Sequence, residues 1–340
     1  MTEERDPGPV HAPEFPAGVQ WLQGGPLTMA GLRGSVVLLD FWDYTCVNCL
    51  RTLPYVKEWS RRYRDHGLRV IGVHAPEFSF ARDYDNVVRA VREQGIDYPV
   101  VLDNEYAIWQ AYANRYWPAK YLVDANGYLR YVHFGEGAYR ETEEAIQSLI
   151  KDAFPQALLP GLMEPVRDED REGAVCYRVS PELYLGYARG NYGNPNLTPD
   201  RPAAYRDPGM HMDGFAYVEG DWLVSAEYLA RPAGASGVSR LVVPYLANEV
   251  NIVAHPPTYG GAAVLAVEQD GAALAAEDAG DDVTAGATAT LTIDRPRMYR
   301  VVRNRAIGRH ELALSTTSDG VALYALTFTS CVIAGEQGAA

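Results

Sequence analysis

The chain has no stretch of about 18 uninterrupted apolar residues, so nothing in it reads as a membrane-spanning helix. It has no basic stripe either. Thirty Lys and Arg stand against 44 Asp and Glu, a formal net charge of -14, which argues against a nucleic-acid phosphate backbone as partner. The acidic excess reads as a solvated surface and points to no substrate. Low-complexity tracts and repeats of fixed period are missing, and 47% hydrophobic with 22% charged residues is the composition of a folded protein. The opening MTEERDPGPVHAPEFPAG is acidic and lacks the basic start and apolar run of a secretory signal. A cytoplasmic protein is therefore expected from the sequence as written, or an exported one if the natural N-terminus is longer.

Cysteine is scarce. Cys46, Cys49, Cys176 and Cys331 are too few for a disulfide-framework protein, and they divide into one tight pair and two distant singles.

What is present changes character along the chain, and 340 residues already suggest two domains. Residues 1–155 alternate strand and helix. SVVLLDFW is a continuous apolar run of the kind found in buried central strands, and CLRTLPYVKEWSRRYRDHG carries apolar residues at helical spacing until Gly67. LRVIGVHA, YPVVLD and the two halves of AKYLVDANGYLRYVHFG, which turn about Asn126-Gly127, read as strands. YDNVVRAVREQGI, EYAIWQAYANRY and YRETEEAIQSLIKDAF read as helices. This order predicts an α/β domain with a central mixed sheet and helices on both faces. Residues 156–174, with their prolines, glycines and charged cluster, read as a linker. In residues 175–340 no lysine occurs, and short β-type runs such as SRLVVPYLA, EVNIVAH, MYRVV and HELALST recur between turn signals. These predict an all-β sandwich or jelly roll.

The chemistry centres on the pair. A thiolate at a helix N-terminus is stabilised by the helix dipole and free backbone amides, so the pKa of Cys46 is expected to fall. Cys49, one turn later on the same face, is placed to attack a mixed disulfide formed at Cys46. A zinc half-site is the alternative, but zinc wants four ligands, and neither Cys176 nor Cys331 has a cysteine or histidine at ligand spacing. No metal or cofactor is expected beyond a redox-active Cys46–Cys49 disulfide. His74 and Glu77, in the loop after the second strand, are weaker candidates and carry no assigned role.

The segment Asp40 to Pro54 resembles the active site of the thioredoxin superfamily. Asp40-Phe41-Trp42 matches the end of the family's central strand, Cys46 and Cys49 its redox pair, and Pro54 the proline that kinks its helix. FWDYTCVNCLRTLPYVKEW is more similar still to the TlpA-like redoxin domain of DipZ-type proteins, in which a carbohydrate-binding-module-like β domain follows. Those proteins also carry an N-terminal membrane domain that is not among these residues, which leaves the electron donor or acceptor open. The resemblance implies that Pro118, after Trp117, is a cis-proline facing the cysteines. It further implies that Asp40 is a buried carboxylate of raised pKa able to take the proton of Cys49. Trp42 and Trp117 would flank the cysteines as apolar walls.

The resemblance implies a thiol-disulfide oxidoreductase acting on protein thiols and disulfides. A thiol peroxidase is the alternative within the superfamily, but Asp43 stands where such enzymes have threonine or serine, and Leu39 replaces their proline. A non-catalytic carbohydrate- or protein-binding module on the same scaffold is the other. The many tyrosines of the second half would suit a glycan platform, although tyrosine is also a common strand residue. Cys176 and Cys331 fall in its first and last strands, where a bond between them is conceivable. In a reducing compartment two buried free thiols are expected.

Overall fold

The structure, a computed structural model, describes residues 10–171 and 174–333. The chain divides between Val166 and Arg167 into two compact units. In the first, strands β1 (Gln20–Gln23), β2 (Val36–Trp42), β3 (Leu68–His74), β4 (Val100–Leu102), β5 (Ala119–Val123) and β6 (Leu129–Phe134) form one sheet in the order β1-β4-β3-β2-β5-β6. The β2–β3 and β3–β4 pairs are parallel and the remaining pairs antiparallel, so the sheet is mixed. Helices α1 (Val47–Tyr63), α2 (Tyr84–Glu93), α3 (Ala107–Ala111) and α4 (Tyr139–Ala153) connect and flank it.

The apolar run of β2 is buried along its whole length because both of its faces are covered. Val36, Leu38 and Trp42 join a core built with Leu53 and Val56 of α1, Val87 of α2 and Ile146 of α4. Val37, Leu39 and Phe41 join the opposite core with Phe15, Met29 and Ile108 of α3. Asp40 sits in the alternation on the side of Leu38 and Trp42, which turns a carboxyl toward the core beneath α1.

Two elements differ from their expected extents. The helix predicted over 105–116 shrinks to α3, because Tyr106 and Ala113 adopt left-handed backbone (φ 57° and 49°) and the Asp103 carboxylate caps the amides of Ile108 and Trp109 at 3.0 and 2.7 Å. Residues 156–166 pack on the helices of the first unit: the Glu143 carboxylate accepts from the Met163 amide (2.9 Å), the Tyr55 hydroxyl from the Val166 amide (2.8 Å), and Gln147 Nε2 donates to the Pro160 carbonyl (2.8 Å).

The second unit is all-β, with eleven strands in one antiparallel hydrogen-bonded network around a large apolar core. Its backbone is two long strands, Ser239–His255 and Arg297–Thr316, where the sequence suggested four short ones. The expected break falls between Ala247 and Glu249, where a bulge absorbs the irregularity without ending the ladder. Before the bulge the first strand pairs with Tyr217–Glu219, and after it with Ala322–Thr329.

The expectation of two buried free thiols is overturned at Cys176, which is exposed and disulfide-bonded. Its strand, Ala174–Cys176, pairs with Cys331–Ile333 and sets Cys176 directly across from Cys331. The first and last strands of the unit thus come together in a two-stranded ribbon, a pairing that neither segment signals alone.

Candidate active site

The β2–α1 junction places the cysteines. Cys46 is the N-cap of α1, in extended conformation, and its Sγ accepts the Cys49 amide at 3.2 Å, so a sulfur satisfies one of the orphan donors of the helix start. Cys46 is half-buried while Cys49 is 1% exposed, an outer and an inner sulfur, and both are free thiols. Pro54 lies inside the same helix.

The expected fall in the Cys46 pKa does not occur. Burial pushes it up; the hydrogen bonds from Cys49 oppose this, and the charges of Glu77 and Asp43 push it further up. Cys49 is raised well above the usual thiol range by burial, by Cys46 and, to a lesser degree, by the charge of Asp40. The helix terminus does act on Cys46, but desolvation and two neighbouring carboxylates outweigh it.

Asp40 is 1% exposed, and burial pushes its carboxyl up to about 7. The opposing influence is Lys120, which the β2–β5 register sets directly opposite Asp40. Lys120 is itself fully buried, and burial lowers its pKa to about 8 against the pull of Asp40. Its ammonium donates to the Gly137 carbonyl (2.5 Å) and lies 4.9 Å from the centre of the Tyr139 ring. One oxygen of Asp40, Oδ1, has no hydrogen-bond partner, so the carboxyl keeps a free position for a proton.

A second buried pair stands on the other side. Asp43 and His74 have no exposed surface, and His74 Nε2 lies 3.1 Å from Asp43 Oδ1. Asp43 Oδ2 accepts from the Thr45 hydroxyl (2.6 Å) and the Glu77 amide (3.1 Å). The Cys46 amide in turn donates to the Asp43 carbonyl at 3.3 Å, which ties this cluster to the outer cysteine. Neighbouring rings enclose His74: Tyr44 stacks on it at 5.7 Å and Trp42 meets it edge-on at 5.4 Å.

The Trp117–Pro118 peptide is cis, the side chain of Pro118 is buried, and its carbonyl accepts from Gly135 (2.7 Å). Trp117 is half-buried and donates from Nε1 to the Ala75 carbonyl at 2.9 Å. Trp42 has no exposed surface, so it offers nothing for a partner to touch. Both tryptophans pack in the same apolar cluster as Cys46 and Cys49. Asp43, Thr45 and Lys120 carried no assignment from the sequence. Their signal was an isolated charge or hydroxyl within a buried segment, Lys120 in AKYLV above all.

Residues 10–132 match the AhpC/TSA family, and residues 180–329 match the family described as "Thioredoxin like C-terminal domain". Protein DipZ of Mycobacterium bovis is 37% identical over 265 residues, which are 76% of this chain and 36% of that protein. The chain therefore spans about a third of the length of this relative. Thiol-disulfide oxidoreductase ResA of Halalkalibacterium halodurans is 30% identical over 130 residues, 38% of this chain and 70% of that protein. Among solved structures, a thiol-disulfide isomerase from Corynebacterium glutamicum is 26% identical, with a TM-score of 0.38 over 41% of this chain and 96% of that one. With the Cys-x-x-Cys at a strand-to-helix junction of a mixed sheet and a ResA relative 30% identical and matched over 70% of its length, the chain belongs to the thioredoxin-like superfamily.

Proposed function

We propose that the first unit is a thiol-disulfide oxidoreductase that exchanges electrons with protein thiols and disulfides. The observation that carries this reading is the arrangement of an outer sulfur, Cys46, over an inner one, Cys49, within the first turn of α1. In the reducing direction Cys46 as thiolate attacks one sulfur of a client disulfide, that S–S bond breaks, and one client thiolate leaves. Cys49 then gives up its proton and attacks Cys46 Sγ, which forms the Cys46–Cys49 disulfide and releases the second client thiolate. Asp40, ionised above about 7 and buried close enough for its charge to act on Cys49, is the base that takes this proton. Trp117, half-exposed beside the pair, gives a partner its apolar contact.

The test is a pair of variants. Cys46→Ser is expected to abolish reduction of insulin by dithiothreitol, whereas Cys49→Ser is expected to accumulate mixed disulfides that a diagonal gel resolves. A Cys46→Ser protein as active as the parent overturns the reading. The AhpC/TSA match keeps a thiol peroxidase as second reading, and peroxide consumption lost in the same variant, with insulin reduction intact, would favour it. For the second unit we infer a partner-binding role, in which exposed tyrosines such as Tyr187 and Tyr259 contact a protein or glycan.

A further inference from the structure

The sequence leaves open which way electrons flow through the pair, and the cluster beside Cys46 bears on that. Cys46 accepts the Cys49 amide on its sulfur at 3.2 Å and donates its own amide to the Asp43 carbonyl at 3.3 Å, Asp43 accepts the Glu77 amide at 3.1 Å, and the charges of Glu77 and Asp43 both act on the sulfur. Both of these charged neighbours are negative. His74, a basic side chain in contact with the cluster, lies against Asp43 with no exposed surface. Arg51, on the same helix, is held to Glu136 at 3.7 Å.

Asp43 is fixed where it stands. Its two oxygens meet three partners, His74 Nε2, the Thr45 hydroxyl and the Glu77 amide. Convergent donors of this kind suit a carboxylate, which accepts on both oxygens. A fixed negative charge next to a nucleophilic sulfur disfavours its thiolate, and a disulfide sulfur carries no charge to be disfavoured. The balance between dithiol and disulfide therefore tilts toward disulfide, the opposite of a strongly oxidising pair, whose reduced form is the stabilised one.

We propose that Asp43, pinned by His74, Thr45 and the Glu77 amide, is a positioning residue that holds a negative charge against Cys46 and makes the pair an electron donor, a reductant of client protein disulfides. The inference rests on the oxidoreductase reading and gives it a direction. Two electrons pass from the Cys46–Cys49 dithiol to the client S–S bond, the two thiol protons end on the two client thiols, and the Cys46–Cys49 disulfide is formed. A dithiol protein donor returns the pair to its reduced state by the same exchange in reverse.

The experiment measures the reduction potential of the pair against dithiothreitol buffers over a range of pH, together with the ultraviolet absorbance of the Cys46 thiolate. The parent chain is compared with Asp43→Asn, Asp43→Glu and Glu77→Gln. Asp43→Asn is expected to lower the Cys46 pKa and to favour the dithiol by about tenfold, which for two electrons is about 30 mV less negative. The two potentials should meet at acid pH, where Cys46 is a neutral thiol in both, and separate above the Cys46 pKa of the variant. A purely structural role for Asp43 gives no such convergence. Asp43→Glu should return toward the parent, and Glu77→Gln, which leaves the buried cluster intact, should shift with the same sign by less.

Potentials of Asp43→Asn and Glu77→Gln that are unchanged, or more negative, at every pH overturn the proposal. If Asp43→Asn does not fold, the sign of the Glu77→Gln shift decides alone. A parent pair that never forms a disulfide overturns the oxidoreductase reading itself, an outcome distinct from either.

Discussion

The two units bury different things. The first keeps Asp40, Asp43, His74 and Lys120 inside, all at or near zero exposure and all around one strand end and one pair of cysteines. The second buries chiefly neutral groups, of which the clearest is a closed circuit: the Tyr245 hydroxyl donates to Gln269, Gln269 to Asn304, and Asn304 back to Tyr245. Its buried cation, Arg231, is paired to Asp319 and bonded to the carbonyls of Ala235 and Gly237. Buried ionisable groups are costly, and a fold that needed only to be stable would replace most of them with apolar side chains. Their concentration in the first unit fits the proton and electron transfer proposed for it, while the neutral circuits of the second serve shape.

That contrast can be broken at its strongest point. Asp40 keeps its proton in the folded state up to about pH 7 but loses it near 3.8 when unfolded, so stability should fall as pH rises through that window. Asp40→Asn should remove the fall and be more stable than the parent at pH 8 by up to about 4 kcal/mol, with no difference near pH 3. Urea unfolding at both pH values checks this, and an equal gain at both would deny that ionisation is the cause. A smaller effect is expected at Lys120. Lys120→Met removes the charge that holds Asp40 down, so the Asp40 pKa rises further and the acid limb of the pH–rate profile moves to higher pH, with disulfide exchange slowed a few-fold at pH 7. A profile that stays in place would show the pair to be independent. The smallest sharpens the other side: Tyr245→Phe opens the neutral circuit, costing about 1 to 2 kcal/mol of stability of the second unit, while the reduction potential of the cysteines stays as it was.

What was legible in the sequence was mostly local. Cys46 and Cys49, the helix behind them and the apolar run of β2 are each written within a few consecutive residues. Asp40 was reached because Asp40-Phe41-Trp42 resembles the end of the family's central strand. Lys120 went unread because its partner lies across a strand pair, and register is set by the packing of both faces rather than by either strand's own residues. The direction of the Cys46 pKa was missed for a related reason. The helix terminus can be read from position alone, but the burial that outweighs it comes from elements packed from elsewhere in the chain, and Glu77 reaches the site through a contact with Asp43 34 residues away. In the second unit the short β runs were visible, yet a bulge carries the strands through Asn248 and the 303–309 segment, where the sequence taken alone ends them.

Three consecutive residues after β3 are each gripped by a different element: the Ala75 carbonyl by Trp117, the Pro76 carbonyl by the Tyr106 hydroxyl, and the Glu77 amide by Asp43. The rim of the cysteine site is therefore braced like a tripod before any client arrives. Its conformational entropy is lost during folding rather than at encounter, so docking on this rim costs less ordering than it would on a loose loop.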